Sequence, residues 1–204
     1  SFNSEKIGFE LVAPILYLNQ IYFSIKYVSE SQYYNADFTE FDLEIASYYL
    51  KIRKKISRNL NLSLAYMHST ANNISYMNGL LSTKDKDRSY IQYKIFSSLS
   101  VQNFYFFGRK ISSGFYSVYE RRDFLSSLET DKLHFKRAHD DLTVNYWLKR
   151  HFNNNFDIKI KAASRVRDTY SLYNIQGITV GEFKTFRKFE IWLSIILKME
   201  LNVY

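Results

Sequence analysis

The chain has 204 residues and a formal net charge of +8, with 28 Lys and Arg against 20 Asp and Glu, a length that suits one domain built on a closed sheet. It contains no Cys, which excludes a disulfide framework, thiolate catalysis and Cys-ligated zinc. No apolar run approaches the ~20 residues of a membrane helix, and the longest, Ile191–Leu197, is followed by Lys198 and Glu200. Ser1 to Lys6 lack the apolar stretch of a signal peptide, so the targeting segment of an exported form is expected to have been removed or to lie outside this sequence. The 18 Tyr and 17 Phe suit a pleated, half-buried surface.

The dominant pattern has a period of two, which turns successive side chains to opposite faces of a strand. Ile7, Phe9, Leu11, Ala13 and Ile15 form one face of the first predicted strand, and Gly8, Glu10 and Val12 the other. Leu18-Asn19-Gln20 is read as a tight reversal. Ile21, Phe23, Ile25 and Tyr27 then alternate with Tyr22, Ser24 and Lys26. A polar loop is expected over Ser29–Asn35. In the third strand Phe41, Leu43 and Ile45 oppose Asp42 and Glu44, but beyond Ser47 the apolar set becomes Tyr48, Leu50 and Ile52. A β-bulge is the expected cause of that slip. Ser57-Arg58-Asn59 turns the chain into Leu60–Thr70, where Leu60, Leu62, Leu64 and Tyr66 alternate with Asn61, Ser63 and Ala65.

A long loop is expected from Thr70 to Arg88. Ile91, Tyr93 and Ile95 then oppose Gln92 and Lys94, Ser97-Ser98 predicts a reversal into Leu99–Phe107, and Phe115–Arg121 is a further strand. Asp123–Ala138 is expected to be loop. Leu142, Val144, Tyr146 and Leu148 oppose Asp141, Thr143, Asn145 and Lys149. Asn153-Asn154-Asn155 is a turn, because Asn tolerates left-handed backbone and bonds locally. Phe156, Ile158, Ile160 and Ala162 alternate with Asp157, Lys159 and Lys161 along Phe156–Arg167. After a loop near Asp168–Gly177, one phase runs from Phe189 to Val203.

Short turns thus alternate with longer polar loops, the asymmetry of membrane barrels. Through Leu60–Thr70, Asp141–Arg167 and Phe189–Tyr204 the chain resembles a bacterial outer-membrane β-barrel protein. That resemblance implies an all-β fold over residues 1–204, a single antiparallel transmembrane β-barrel of eight to ten strands, ten fitting the segments slightly better. It implies lipid outside, a polar and basic interior, and a place in the bacterial cell outer membrane. Tyr27, Tyr49, Tyr66 and Tyr146 are the expected aromatic girdle. Tyr204 matches the terminal aromatic of such proteins, but Leu197, Met199, Leu201 and Val203 stand in the opposite phase. A soluble antiparallel β-sheet binding module is the alternative, since it too would alternate.

The basic face carries the functional expectation. Lys159, Lys161, Arg165 and Arg167 line one side of a single strand, with Lys94, Lys149, Lys188 and Lys198 expected to join them. Asp42, Glu44, Asp141, Asp157, Glu190 and Glu200 are expected on the same interior face. Such a wall favours anions. The expected function is a porin-like, narrow anion-favouring channel or a structural barrel plugged by ion pairs. Membrane lipids and small anionic solutes are the expected partners, with lipopolysaccharide phosphates reachable by Arg165 and Arg167. Nucleic acid is not expected, because the cations are dispersed.

The enzymatic alternative is a lipid-modifying hydrolase acting through His68, at the end of a strand beside a long loop. Outer-membrane phospholipases and deacylases place His and Ser two residues apart; here Thr70 holds that position and Ser69 points the other way. His68 is therefore read chiefly as a rim residue. His134 and His139, with Asp140 and Asp141, lack the spacing of a metal site, and no cofactor or metal is expected.

Overall fold

The alternating segments form strands, and each consecutive long strand pairs antiparallel with the next. The computed structural model describes residues 2–14, 20–34, 42–74, 87–153, 155–172, 174–175 and 178–197. The long strands are β1 (Phe2–Pro14), β2 (Ile21–Tyr34), β3 (Leu43–Lys55), β4 (Leu60–Asn73), β5 (Tyr90–Phe106), β6 (Arg109–Phe124), β7 (Ala138–His151), β8 (Phe156–Tyr170) and β11 (Phe186–Leu197). They make one nine-stranded sheet in chain order. Between β8 and β11, the two-residue strands β9 (Asn174–Ile175) and β10 (Ile178–Thr179) pair with each other and lead into the one-turn helix α1 (Val180–Lys184).

Register decides the faces. On the outer face stand Ile7, Phe9 and Leu11 of β1, Leu50 and Ile52 of β3, Leu62 and Leu64 of β4, and Ile191, Leu193 and Ile195 of β11. They are open to solvent, up to 81% for Ile7 and 69% for Leu193. The inner face carries Glu10, Lys26, Lys51, Ser63, Ser98 and Tyr116, which share one cavity of about 430 Å³ reached from all six strands β1 to β6. In a flat sheet β1 and β6 would stand ~24 Å apart, so the polar face is concave. The apolar rows thus lie on the exposed convex face and the polar rows on the concave one.

Several expectations need correction. The register of β3 with β2 and β4 is unbroken from Leu43 to Lys54, so there is no bulge at Ser47. Instead Leu43 and Ile45 are buried on the inner face, packed with Ala71, Tyr90 and Phe124. The apparent slip marks a change of composition along one regular face. Glu44 consequently faces outward and Tyr49 inward, with Lys26 5.8 Å from the Tyr49 ring centroid. The expected loop at Ser29 is the end of β2, which runs to Tyr34. Ser97-Ser98 is no reversal: β5 runs through it, each serine bonding a cross-strand hydroxyl, Ser97 to Ser117 at 2.7 Å and Ser98 to Ser63 at 3.1 Å. The real reversal is Phe107-Gly108, both with positive φ (48° and 70°), the pairing a two-residue hairpin with the right twist requires. A bulge does occur, between Val101 and Phe104, with Asn103 at φ 52°.

The Ser57–Asn59 turn and the Asn153–Asn155 turn are present, the latter with the Asn155 N–H donating to Asn153 Oδ1 at 2.9 Å. Leu18 and Asn19 of the expected reversal, residues 75–86 of the expected Thr70–Arg88 loop, Lys198, Glu200 and the terminal Tyr204 lie outside the described residues. The strand count is odd, so β1 and β11 run in the same direction. Among the described residues each is paired on one side only.

One close approach fixes the interior near the short turns. Gly114 of β6 faces Trp147 of β7, and a Cβ there would stand 2.7 Å from the Trp147 Cζ2 and closer to two other ring atoms. The indole lies flat where a side chain would be. Substituting Gly114→Leu should displace Trp147 and cost about 1–3 kcal/mol, read as a lower denaturant midpoint with a shifted tryptophan emission.

Candidate functional site

The inner wall is built by strand alternation. On β8 every second residue from Asp157 to Thr169 points inward, which brings Lys159, Lys161, Arg165 and Arg167 to one line. Lys94 reaches the same face from β5. Lys94 Nζ lies 2.9 Å from Glu120 of β6, and Glu120 also accepts hydrogen bonds from Arg122 (3.1 Å) and Gln92. Asp141 of β7 receives both Arg165 (3.1 Å) and Arg167 (2.6 Å). Asp157 holds Lys149 at 3.2 Å, Glu190 holds Lys188 at 2.7 Å, and Glu30 holds Lys6 at 2.9 Å. These five inward carboxylates thus sit in pairs or forks with cations, as burial of charge demands.

Lys159 and Lys161 differ. Among the described residues no carboxylate lies within ion-pair distance of either. The Lys159 ammonium is 5.3 Å from the Trp147 ring centroid, and that of Lys161 is 4.7 Å from Trp192. Aromatic faces hold a cation without neutralising it, so this part of the wall keeps a positive potential.

The end bearing the long loops adds a second basic group, which the sequence reading missed. A cavity of about 190 Å³ there is lined by Arg88, Arg122, Arg137, Arg167 and Lys184, with Tyr90, Phe124, His134 and His139. Arg137 is only 8% exposed and stacks 4.0 Å from the Phe124 ring centroid. Among the described residues its Nε, and that of Arg122, are buried without a hydrogen-bond partner. Burial lowers the Arg137 pKa to about 10; Asp131 opposes the shift, and the charges of Arg122, Arg167 and Arg88 add to it. Nothing in the alternation of the surrounding sequence marks Arg137, because it lies in the loop that joins β6 to β7.

That loop, 125–137, is clasped by Asp131. Its carboxylate accepts the Asp87 N–H at 2.8 Å and the His134 N–H at 3.2 Å, and lies 2.9 Å from His134 Nδ1. Burial pushes its pKa up, but the His134 hydrogen bond and charge outweigh burial and hold it below the usual range.

The remaining candidates separate. His68 faces outward and stacks on Tyr93 at 5.0 Å; its Nε2 is buried and, among the described residues, has no hydrogen-bond partner. Ser69 points inward to Ser47 at 2.8 Å, so no nucleophile–base pair forms at His68. His134 is taken by Asp131, and His139 Nδ1 lies 2.7 Å from Thr169 Oγ1. Asp140 turns outward to accept from Tyr119 at 2.7 Å, while Asp141 turns inward. The four do not converge on a metal position, and no metal-binding group occurs among the described residues.

Replacing Asp141→Asn leaves Arg165 and Arg167 without their shared carboxylate. It should cost about 2 kcal/mol in a denaturant titration, less than a fully buried pair because Arg165 remains half in solvent. Asp131 sets a pH dependence. A carboxyl with a depressed folded pKa stabilises fully above its unfolded value, and loses that contribution as pH falls through the folded one. Protection of the 125–137 amides, taken relative to intrinsic exchange at each pH, should be high above the ordinary aspartate range and fall as pH drops through the depressed Asp131 value, with Asp131→Asn poorly protected at every pH.

No protein-family model, curated protein or solved structure matches this chain.

Proposed function

We propose that the chain forms a β-barrel of the bacterial outer membrane, with a narrow, anion-favouring lumen. The observation that carries this reading is the path of the outer apolar band. The loop-side edge of the band is Ile7 on β1, beyond which the same face carries Glu5 and Asn3, and Phe189 on β11, beyond which it carries Arg187. Yet Phe189 shares a register rung with Ser164, Val144, Ser117, Ser97, Leu64, Ile52, Phe23 and finally Ala13, six residues from Ile7 toward the turn on β1. The band therefore crosses the strands obliquely. A shift of six residues is ~20 Å of strand over ~38 Å of sheet width, a slope of roughly 30°. A planar lipid slab crossing tilted barrel strands produces such a slope. The core of a soluble sandwich imposes no such plane.

The edges of the band agree. At its loop end on β1 to β5, aromatic rings meet across strands: Phe9 with Tyr27 (5.8 Å), Tyr27 with Tyr48 (5.0 Å) and His68 with Tyr93. His68 thus belongs to the girdle. At the short-turn end Tyr105, Phe106 and Phe107 are exposed, and Phe107 holds a left-handed turn position that Asn or Gly would fill more easily. Aromatics in such places fit a water–lipid boundary. Because β1 and β11 run in the same direction, closure takes a parallel pair between them or one further strand.

A barrel of this size fills much of its interior with side chains, which makes the passage narrow. The unpaired ammonium groups of Lys159 and Lys161, with the basic mouth around Arg137, bias it toward anions. Membrane lipids and small anions are the proposed partners.

Refolding into detergent should give a species that migrates faster before boiling than after. Folded, monodisperse protein without detergent would overturn the membrane reading. In planar bilayers under a KCl gradient the reversal potential should favour chloride, and Lys159→Glu with Lys161→Glu should move it toward cation preference. A closed bilayer at every voltage would leave a structural barrel.

A further inference from the structure

At the short-turn end the register brings together three residues that neither the channel reading nor the girdle uses. Ser112 faces inward on β6 beside Lys149 of β7, and His151 of β7 stands opposite Asp157 of β8. Ser112 Oγ lies 3.0 Å from His151 Nε2, and His151 Nδ1 lies 2.8 Å from Asp157 Oδ1. Asp157 is 0% exposed and holds Lys149 at 3.2 Å.

The hydrogen bonds of this group have a direction. An ionised carboxylate only accepts, so Asp157 selects the neutral imidazole tautomer with its proton on Nδ1 and leaves Nε2 as an acceptor. The backbone N–H of Asn103 donates to Ser112 Oγ at 3.0 Å. The hydroxyl therefore accepts from Asn103 and has its own proton to give to His151. Asn103 can reach it because the Val101–Phe104 bulge, with Asn103 at φ 52°, lifts this stretch out of the ladder. Bulges of this kind re-aim groups beside active sites. A cavity of about 330 Å³ opens against Ser112 and His151, and Gln102, Lys149 and Lys159 also line it.

We propose that Ser112 is a nucleophile, with His151 as its base and Asp157 as a positioning residue, that accepts the acyl group of small anionic esters. Ser112 Oγ attacks the ester carbonyl as its proton passes to His151 Nε2. The tetrahedral adduct expels the alcohol, which leaves with that proton as the C–O bond breaks. Water then attacks the acyl-serine, giving a proton to His151, and the carboxylic acid departs as Ser112 regains it. Nucleophile, base and orienting acid are thus each within hydrogen-bond reach of the next. Lys149 and Lys159 provide positive charge for the developing oxyanion and for an anionic substituent on the substrate.

The test uses the full chain refolded in detergent and a fluorophosphonate probe, with peptide mapping of the product. One covalent adduct is expected, on Ser112. Its rate of formation should fall by about a hundredfold or more in His151→Gln, the range of a lost general base, and Ser112→Ala should abolish it. Mapping on the unsubstituted protein needs no variant, so a variant that fails to fold leaves the test intact. Hydrolysis of 4-nitrophenyl hydrogen succinate should outpace that of 4-nitrophenyl acetate, and Lys159→Gln should erase the difference. No adduct on folded protein, or one formed equally fast without His151, would overturn the proposal; equal rates on the two esters would overturn the choice of an anionic substrate. The inference does not rest on the membrane reading: labelling of Ser112 in protein that is soluble without detergent would sink that reading and keep this one.

Discussion

The structure depends on keeping register. Side chains on a strand alternate with a period of two, so a slip of one residue exchanges its faces. Across β1 to β4 and β6 to β11 the long strands pair without a slip, and the single irregularity, Val101–Phe104, falls near the β5–β6 turn where little sheet remains to be misdirected. The outer rows therefore coincide as one largely apolar surface, and the inner rows as one largely polar wall that gathers the charges of β5 to β8 and β11. A slip elsewhere would carry Lys159 or Arg165 to the outer face and Ile158 or Ile160 into the wall.

Once the charges are gathered on a concave face, electrostatics organises them further. Removing a charge from water is costly unless a partner replaces the lost hydration. Asp141 answers that demand by accepting two arginines, Glu120 by accepting Lys94 and Arg122, and Asp157 by holding Lys149 and His151. Each carboxylate bridges strands, so the same contacts that offset burial also tie neighbouring strands together. Cations in excess of the carboxylates lean on aromatic rings, as Lys159 does on Trp147, Lys161 on Trp192 and Arg137 on Phe124. The aromatic content thus serves both faces, holding cations on the concave one and packing ring against ring across strands on the convex one.

The two ends have different tasks because their connections differ in length. Of the tight connections, Phe107-Gly108 brings the Asn103 N–H onto Ser112, and the turn between β7 and β8 sets His151 opposite Asp157. At the other end the described loop 125–137 is clasped by Asp131, which sets Arg137 among other cations. Neither cluster involves residues near one another in sequence across its whole extent, and both lie on polar positions that any one strand would present in the same way.

By itself the sequence determined the alternation, and through it the strands, the apolar rows such as Leu60–Tyr66 and Phe156–Ala162, and the inward line of Lys159, Lys161, Arg165 and Arg167. Those follow from local geometry, because the facing of a side chain depends only on its parity within its strand. Where a strand changed its company along its length, local pattern misled: Leu43 and Ile45 suggested a bulge because they are apolar on a face that is otherwise polar, and Ser97-Ser98 suggested a turn because serines that bond across strands look the same as serines in a loop. Only the tertiary structure decided which carboxylate meets which cation, that His68 stands alone among aromatics while His151 meets Ser112 and Asp157, and that Arg137 is buried. Those outcomes depend on the registers between strands and on the paths of loops, which are set by pairing energies summed over the whole sheet and leave no periodic trace in any single segment.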